Sequence, residues 1–239
     1  GGDPWSVLAL DSRGLLVEGE EHNDPYKSEL MMPLALAQEY GLEDHVTHDL
    51  RSVVERFKPT VLIGTSGRPG AFNREIVEEM AAHCERPIIM PFSNPTDHSE
   101  ARPEEVIRWT EGRALVATGS PFDAVEYEGR TYRVGQGNNV FIFPGLGLGA
   151  LLAGARTVSD GMISAAADAV AESVTAEEFA SGMLYPAVPR LRDVCHHVSA
   201  RGMAAASREG TGDRMSKEES DSRIADAVWQ PEYREYVPV

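Results

Sequence analysis

Short apolar runs that end in small polar residues recur along the first half of the chain. Val61-Leu-Ile-Gly-Thr-Ser-Gly67, Ile88-Ile-Met-Pro-Phe-Ser-Asn-Pro-Thr96 and Ala114-Leu-Val-Ala-Thr-Gly-Ser120 each read as a strand closing in hydroxyls, a carboxamide or glycine. The segments between them, 73–83 and 102–110, read as helices, with Ile76, Val77 and Met80 at the i, i+1, i+4 positions of one buried face. A further helix is expected over 49–57, leading into the strand at Thr60. Strand and helix alternating in this way predict a parallel sheet with crossover helices. In such sheets ligands collect where the strands end. Ser6-Val-Leu-Ala-Leu-Asp11, an apolar run closed by a carboxylate, is expected to join the same sheet.

The periodicity changes beyond residue 120. Glu128-Gly129, between short polar and aromatic runs, predicts a hairpin within 127–132. Val134-Gly-Gln-Gly-Asn-Asn-Val-Phe-Ile-Phe-Pro-Gly145 sets two carboxamides, Asn138 and Asn139, in a Gly-rich turn before an apolar run expected to form a strand. An Asn side chain carries both a donor and an acceptor, so the pair suits a carboxylate, a hydroxyl or an amide; the same residues also serve as plain turn formers. Helices are expected over 148–156, 160–173 and 189–207, and Thr175 with Glu178 has the capping-box spacing. Residues 208–222, polar and Gly-containing, read as a loop, as does the charged stretch 18–27. Gly145-Leu-Gly-Leu-Gly149 lacks the spacing of a phosphate loop and is better explained by close packing at a helix start.

The composition narrows the function. With 239 residues the chain is long enough for a sizeable core. A formal net charge of −16 argues against a nucleic-acid partner, because phosphate binding needs clustered Lys and Arg. It leaves a dinucleotide open, since backbone N–H groups and helix N-termini can hold phosphate without side-chain charge. The 42% hydrophobic content contains no apolar run of membrane-spanning length, and the first residues lack a signal-peptide pattern, so a cytoplasmic location is expected. Cys84 and Cys195 have no metal-site or redox spacing and read as reduced structural thiols, Cys195 within the apolar stripe of Leu191, Val194 and Val198. His196 and His197 are adjacent on a helix and therefore a poor metal pair.

Asp11 suits the acidic position that accepts hydrogen bonds from an adenosine ribose at the end of a second strand, although an Asp after a strand is also a common turn former. In order along the chain, Leu10-Asp-Ser-Arg-Gly-Leu-Leu16, Pro59-Thr-Val-Leu-Ile-Gly-Thr-Ser-Gly67 with Gly70-Ala-Phe72, Ser93-Asn-Pro-Thr96, Ala117-Thr-Gly-Ser-Pro-Phe122, Gly135-Gln-Gly-Asn-Asn139, Gly182-Met-Leu-Tyr-Pro186 and Trp229-Gln-Pro-Glu-Tyr233 resemble the malic enzyme family. The resemblance covers nearly the whole chain. It implies a Rossmann-like, doubly wound, mainly parallel sheet lacking its first strand and followed by C-terminal helices. The corresponding domains are a partial NAD(P)-binding domain over 1–174 and a helical tail over 175–239.

The resemblance also implies site residues. Asp11, Ser12, Thr65, Ser66, Gly67, Asn94 and Lys27 would contact the dinucleotide, and Asn94, Asn138 and Asn139 the substrate; Ser120 and Pro121 would shape the cleft floor. The family reaction converts malate to pyruvate and carbon dioxide with reduction of NAD or NADP, assisted by Mg2+ or Mn2+ in the complete, homo-oligomeric enzyme. Asp11 favours NAD, whereas Ser12, Arg13 and Lys27 favour NADP, and the balance tilts to NADP. The family's Tyr and Lys acid–base pair, its metal carboxylates and its Gly-rich phosphate loop have no counterpart in these residues, so no catalytic or metal residue is assigned. The chain is expected to be one part of a larger enzyme, inactive without the remainder. A stand-alone, non-catalytic nucleotide- or metabolite-binding module and a malolactic enzyme on the same scaffold are the alternatives.

Overall fold

The computed structural model describes residues 6–20 and 24–229. Two compact units emerge, one comprising Gly1–Gly137 with Ser181–Leu184 and the other Asn138–Ala180 with Tyr185–Val239. The first contains β1 (Leu10–Asp11), β2 (Gly14–Leu15), α1 (Pro25–Ser28), α2 (Leu34–Glu39), α3 (Leu50–Phe57), β3 (Val61–Gly64), α4 (Arg74–His83), β4 (Ile88–Pro91), α5 (Pro103–Trp109), β5 (Leu115–Thr118), β6 (Val125–Tyr127), β7 (Arg130–Tyr132) and β8 (Gly135–Gln136).

Strands β3, β4, β5 and β8 form a parallel sheet in that order, with Val61 opposite Ile88 and Ile88 opposite Leu115. This is the Rossmann-like α/β arrangement. Strand β5, inside the sheet, is buried at every position, while the edge strand β3 alternates exposed Val61 and Ile63 with buried Leu62 and Gly64. Helix α4 starts where Asn73 accepts the Ile76 N–H at 3.1 Å, satisfying a donor that has no partner within the helix. From its buried face, Ile76, Val77 and Met80 join Leu62, Ile89, Val106, Ile107 and Val116 in one core. Fully burying a side chain such as Met80 or Ile89 contributes roughly 1.5–3 kcal/mol. The hairpin β6–β7 turns on Glu128 and Gly129 at φ of 48° and 76°, the left-handed pair that a two-residue turn matching strand twist requires.

The first apolar run does not join the parallel sheet. Leu10–Asp11 pairs instead with Gly14–Leu15 in a separate antiparallel ladder. The cause is local: the Asp11 carboxylate accepts the Arg13 N–H at 2.7 Å and Gly14 adopts φ +122°, which together reverse the chain. A side chain at Gly14 would also collide with the His48 carbonyl, 2.6 Å from its would-be Cβ.

The second unit holds α6 (Phe143–Leu152), α7 (Asp160–Glu172), α8 (Ala176–Ala180), α9 (Leu191–Glu209) and α10 (Lys217–Ala227). The apolar run after Asn139 forms a 3-10 turn, Asn139–Phe141, and then α6, rather than the expected strand. Pro144 fits the first turn of a helix, where its missing N–H has no role. Gly145 and Gly149 let α6 lie directly against α9, since a Cβ on either would stand 2.7 Å from the Cys195 or Ser199 carbonyl. The reading of this Gly run as a packing device therefore holds. The expected capping box is present, with Thr175 N–H donating to Glu178 at 2.9 Å and Glu178 N–H to Thr175 at 3.1 Å. The expected loop over 208–222 is only partly one, because α10 begins within it. Ser216 accepts the Glu219 N–H at 3.2 Å and nucleates that helix, while Ile224 anchors it in the core. Of the tail motif, residues 230–233 lie outside the described residues.

Candidate functional site

The carboxyl ends of β3 and β4 are joined by one buried carboxylate. Glu100, wholly buried, accepts the Ser66 N–H at 2.7 Å, the Ser66 hydroxyl at 2.8 Å, the Ser93 hydroxyl at 2.5 Å and the Ser93 N–H at 3.3 Å. Burial pushes this carboxyl up, but the hydrogen bonds from Ser93 and Ser66 outweigh it and hold Glu100 below the ordinary carboxylate range. Gly67, at φ +66°, donates its N–H to the Ser93 hydroxyl at 2.8 Å, closing the bridge between the loops after β3 and β4. Gly64 is needed for the same reason, since a Cβ there would lie 2.6 Å from Glu100.

The loop after β5 is tied in through Asn94. Ser120 Oγ donates to Asn94 Oδ1, and Asn94 Nδ2 donates to the Phe92 carbonyl at 3.4 Å. Gly119 has no space for a side chain, because a Cβ would sit 2.1 Å from the Phe92 carbonyl. Gln136 Nε2 donates to the Gly119 carbonyl at 3.0 Å, and Gly137 N–H to the Thr118 carbonyl at 2.8 Å, so β8 steadies the same end of β5. The peptide bond Asn94–Pro95 is cis. Thr65, Ser66, Asn94 and Pro121 are exposed, whereas Ser93 and Ser120 are buried. The result is a shelf of exposed hydroxyl, carboxamide and backbone groups over a fixed polar base. A shelf of this kind offers donors and acceptors to sugar hydroxyls or an amide and accommodates close backbone approach.

Asp11 stands apart from the strand-end loops in the chain and carries its own network. Lys27 Nζ donates to Asp11 Oδ2 at 2.6 Å, and this bond, with the Arg13 N–H on Oδ1, holds the Asp11 carboxyl below its ordinary range. Asp11 is thus both a turn former and the partner of Lys27, the residue assigned the opposite cofactor preference. Ser12 lies exposed in the same turn.

Asn138 and Asn139 belong to the second unit, and both are exposed. Asn138 Oδ1 accepts the Val140 N–H at 3.0 Å and so caps the 3-10 turn. Cys195 is half-buried, which pushes its thiol up and fits a structural role. His197 lies 3.4 Å from Glu172 and 3.4 Å from Ser173. Among the described residues one group has metal-ligand spacing, Glu20 with His45 and His48. Sequence reasoning missed both this group and Glu100. The His45-x-x-His48 spacing was a visible signal, whereas the only trace of Glu100 was the need of Ser66 and Ser93 for an acceptor. Among the described residues no helix is long and apolar enough to cross a membrane.

Comparison with known proteins agrees with this architecture. The family model described as malic enzyme, NAD binding domain, matches residues 5–207. The NAD-dependent malic enzyme of Sodalis glossinidius (strain morsitans) is 43% identical over 230 residues, covering 96% of this chain and 40% of that protein. That of Acinetobacter baylyi is 40% identical over 230 residues with the same two coverages, 96% and 40%. Among solved structures, the malic enzyme of Entamoeba histolytica superposes with a TM-score of 0.70 at 22% identity, over 95% of this chain and 43% of that one. The malic enzyme from Pyrococcus horikoshii Ot3 gives 0.64 at 23% identity, over 89% and 43%. At these identities the structural likeness shows the fold alone. The chain spans about 40% of the length of the curated relatives it matches. With the family model covering most of its residues, the chain belongs to the malic enzyme family, within the NAD-binding domain.

Proposed function

We propose that this chain is the dinucleotide- and substrate-holding part of an enzyme that oxidatively decarboxylates malate to pyruvate and carbon dioxide with reduction of NAD. The single observation that carries the reading is the polar network at the strand ends where nucleotide ligands of α/β sheets bind: Glu100 fixes Ser66 and, through Ser93, Gly67, while Ser120 fixes Asn94. Thr65, Ser66 and Gly67 line the dinucleotide, Asn94 contacts the nicotinamide ribose and the substrate, and Asn138 and Asn139 hold malate or the carboxamide. Bound NAD supplies the hydride acceptor. The proton-transfer pair and the carboxylates for Mg2+ or Mn2+ are not assigned to any of these residues, so no step is routed through them.

For the cofactor the reading favours NAD over the NADP expected from Ser12, Arg13 and Lys27. The Lys27 ammonium is engaged by Asp11 at 2.6 Å, and a 2′-phosphate would have to displace that carboxylate and lie beside its charge. The curated relatives named above are called NAD-dependent. Steady-state kinetics of the enzyme containing this chain, with each dinucleotide, test the preference; a higher kcat/KM with NADP, lost on Lys27→Ala, would reverse it. The 239-residue polypeptide by itself, verified by intact mass, is expected to show no malate-dependent NAD reduction with Mg2+ or Mn2+ present. Robust turnover by that material would require an acid, a base and metal ligands among the residues here, and would refute the assignment.

A further inference from the structure

Outside the proposed cofactor shelf, one cluster of side chains has chemistry that nothing described so far uses. His45 begins a 3-10 turn, His45–Thr47, and His48 follows as its C-cap with helical backbone angles. At three residues per turn, positions i and i+3 lie on one face, so both histidines start from the same side of the turn. Asp44 fixes the turn by accepting the Val46 N–H at 3.1 Å. Glu20 reaches this face from the segment after β2, its Oε1 lying 3.1 Å from His45 Nδ1 and 3.2 Å from His48 Nδ1.

The protonation pattern of His48 makes this group unusual. Its Nε2 lies 2.9 Å from the Leu42 carbonyl, which can only accept, so Nε2 carries the hydrogen. In the neutral ring Nδ1 then presents a lone pair to a carboxylate oxygen, which also only accepts. Something positive has to lie between them, either a proton or a metal ion. A tetrahedral ion with bonds of about 2.0–2.1 Å sets its ligand atoms roughly 3.3 Å apart. The two separations of 3.1 and 3.2 Å match that edge within a few tenths of an ångström. The Nε2–H bond to a backbone carbonyl is the outer contact that ordinarily orients a metal-binding histidine.

We propose that Glu20, His45 and His48 form a binding site for a divalent transition metal of the Zn2+ class, with two imidazoles, one carboxylate and a fourth position open to water. His48 is the preset ligand, its side chain 4% exposed and its backbone carbonyl accepting the Leu15 N–H at 2.8 Å. His45, with its side chain 81% exposed, forms the open wall through which the ion enters. Bound metal would pin the segment after β2 to the turn preceding α3. That segment continues toward α1, which carries Lys27, so the ion acts as a clamp on the Asp11 side of the unit.

Equilibrium dialysis of the purified protein against Zn2+, with metal analysis and a thermal melt, tests the site. One equivalent of Zn2+ is expected to bind and raise the melting temperature. His45→Ala and Glu20→Gln should each weaken binding at least about tenfold, the lower end of what even an outer-sphere change does to metal affinity. His45→Ala alters an exposed side chain, so circular dichroism should show an intact fold, and His196→Ala on α9 should keep the site. Co2+ should give the absorption of a tetrahedral nitrogen and oxygen site, abolished by Zn2+. Absence of Zn2+ binding by the folded parent would mean that only protons join Glu20 to the histidines and would overturn the proposal. Binding retained by both His45→Ala and Glu20→Gln would overturn it equally.

Discussion

The Ser93 hydroxyl donates to Glu100 Oε1 at 2.5 Å inside the protein, and the same carboxylate oxygen receives the Ser66 hydroxyl at 2.8 Å from the neighbouring strand end. Two loops that each emerge from a separate strand are therefore held by one buried charge. A carboxylate is suited to this because it accepts several hydrogen bonds at once, and bonds to a charged group contribute about 1.5–3 kcal/mol each.

Removing that charge should loosen both loops. Glu100→Ala leaves the buried Ser93 hydroxyl without its acceptor, and the expected loss is about 3 kcal/mol or more, read from urea unfolding. The pH dependence follows from the direction of the shift. Glu100 is held below its ordinary range, so its contribution is complete above the unfolded carboxyl value and is lost as pH falls through the folded one. Stability should thus decline below about pH 4, and Glu100→Gln should flatten that decline. An unchanged acid limb in Glu100→Gln would contradict the assignment.

The glycines of α6 should respond in opposite directions. Gly147 has open space around a would-be Cβ, so Gly147→Ala is expected to stabilise by roughly 0.5–1 kcal/mol through helix propensity. Gly149→Ala meets the Ser199 backbone at 2.7 Å and is expected to destabilise by about 1–3 kcal/mol, by forcing α6 away from α9. Thermal melts of the two variants decide it, and equal shifts would show that the α6–α9 contact is not so tight.

Asn138 caps a turn as well as lying in the proposed site, which separates it from Asn139. As the cap of a 3-10 turn it should cost about 0.5–2 kcal/mol on Asn138→Ala, whereas Asn139→Ala should leave stability nearly unchanged. Both are expected to lower kcat/KM for malate in the complete enzyme. A variant that loses stability with unchanged kinetics per folded molecule would be structural only.

Features governed by neighbouring residues were legible in the sequence. The helix over 73–83, the Glu128-Gly129 turn and the Thr175–Glu178 box depend on a few consecutive positions, and each forms as expected. The run Val140 to Phe143 fits a strand or a helix, because a short apolar run fits either period, and Pro144 with the Gly spacing favours the helix only through the packing against α9. The Ser6–Asp11 run pairs outside the parallel sheet expected for it, because pairing is a tertiary choice, settled here by the Asp11 turn. The start of helix α10 has a local signal, since Ser216 and Glu219 carry the same spacing as Thr175 and Glu178. Of the site, the strand-end residues were visible as motifs, but Glu100 was not, because its role arises only where two distant loops meet.

The central claim is that the strand-end shelf holds cofactor and substrate, and Asn94 is its most exposed test. Its carboxamide is oriented by Ser120 and its neighbouring loop by Ser93 and Glu100, so on the proposed reading its replacement removes a ligand contact, and it also takes the acceptor from the buried Ser120 hydroxyl. Steady-state kinetics of Asn94→Ala in the enzyme containing this chain, with malate and NAD, is the direct measurement. The expected result is a fall in kcat/KM of about 100-fold, typical of losing a positioned polar group, in an enzyme that remains folded with a stability loss of about 1–3 kcal/mol from the unpaired Ser120 hydroxyl. Unchanged kcat/KM in a folded Asn94→Ala enzyme would contradict the claim.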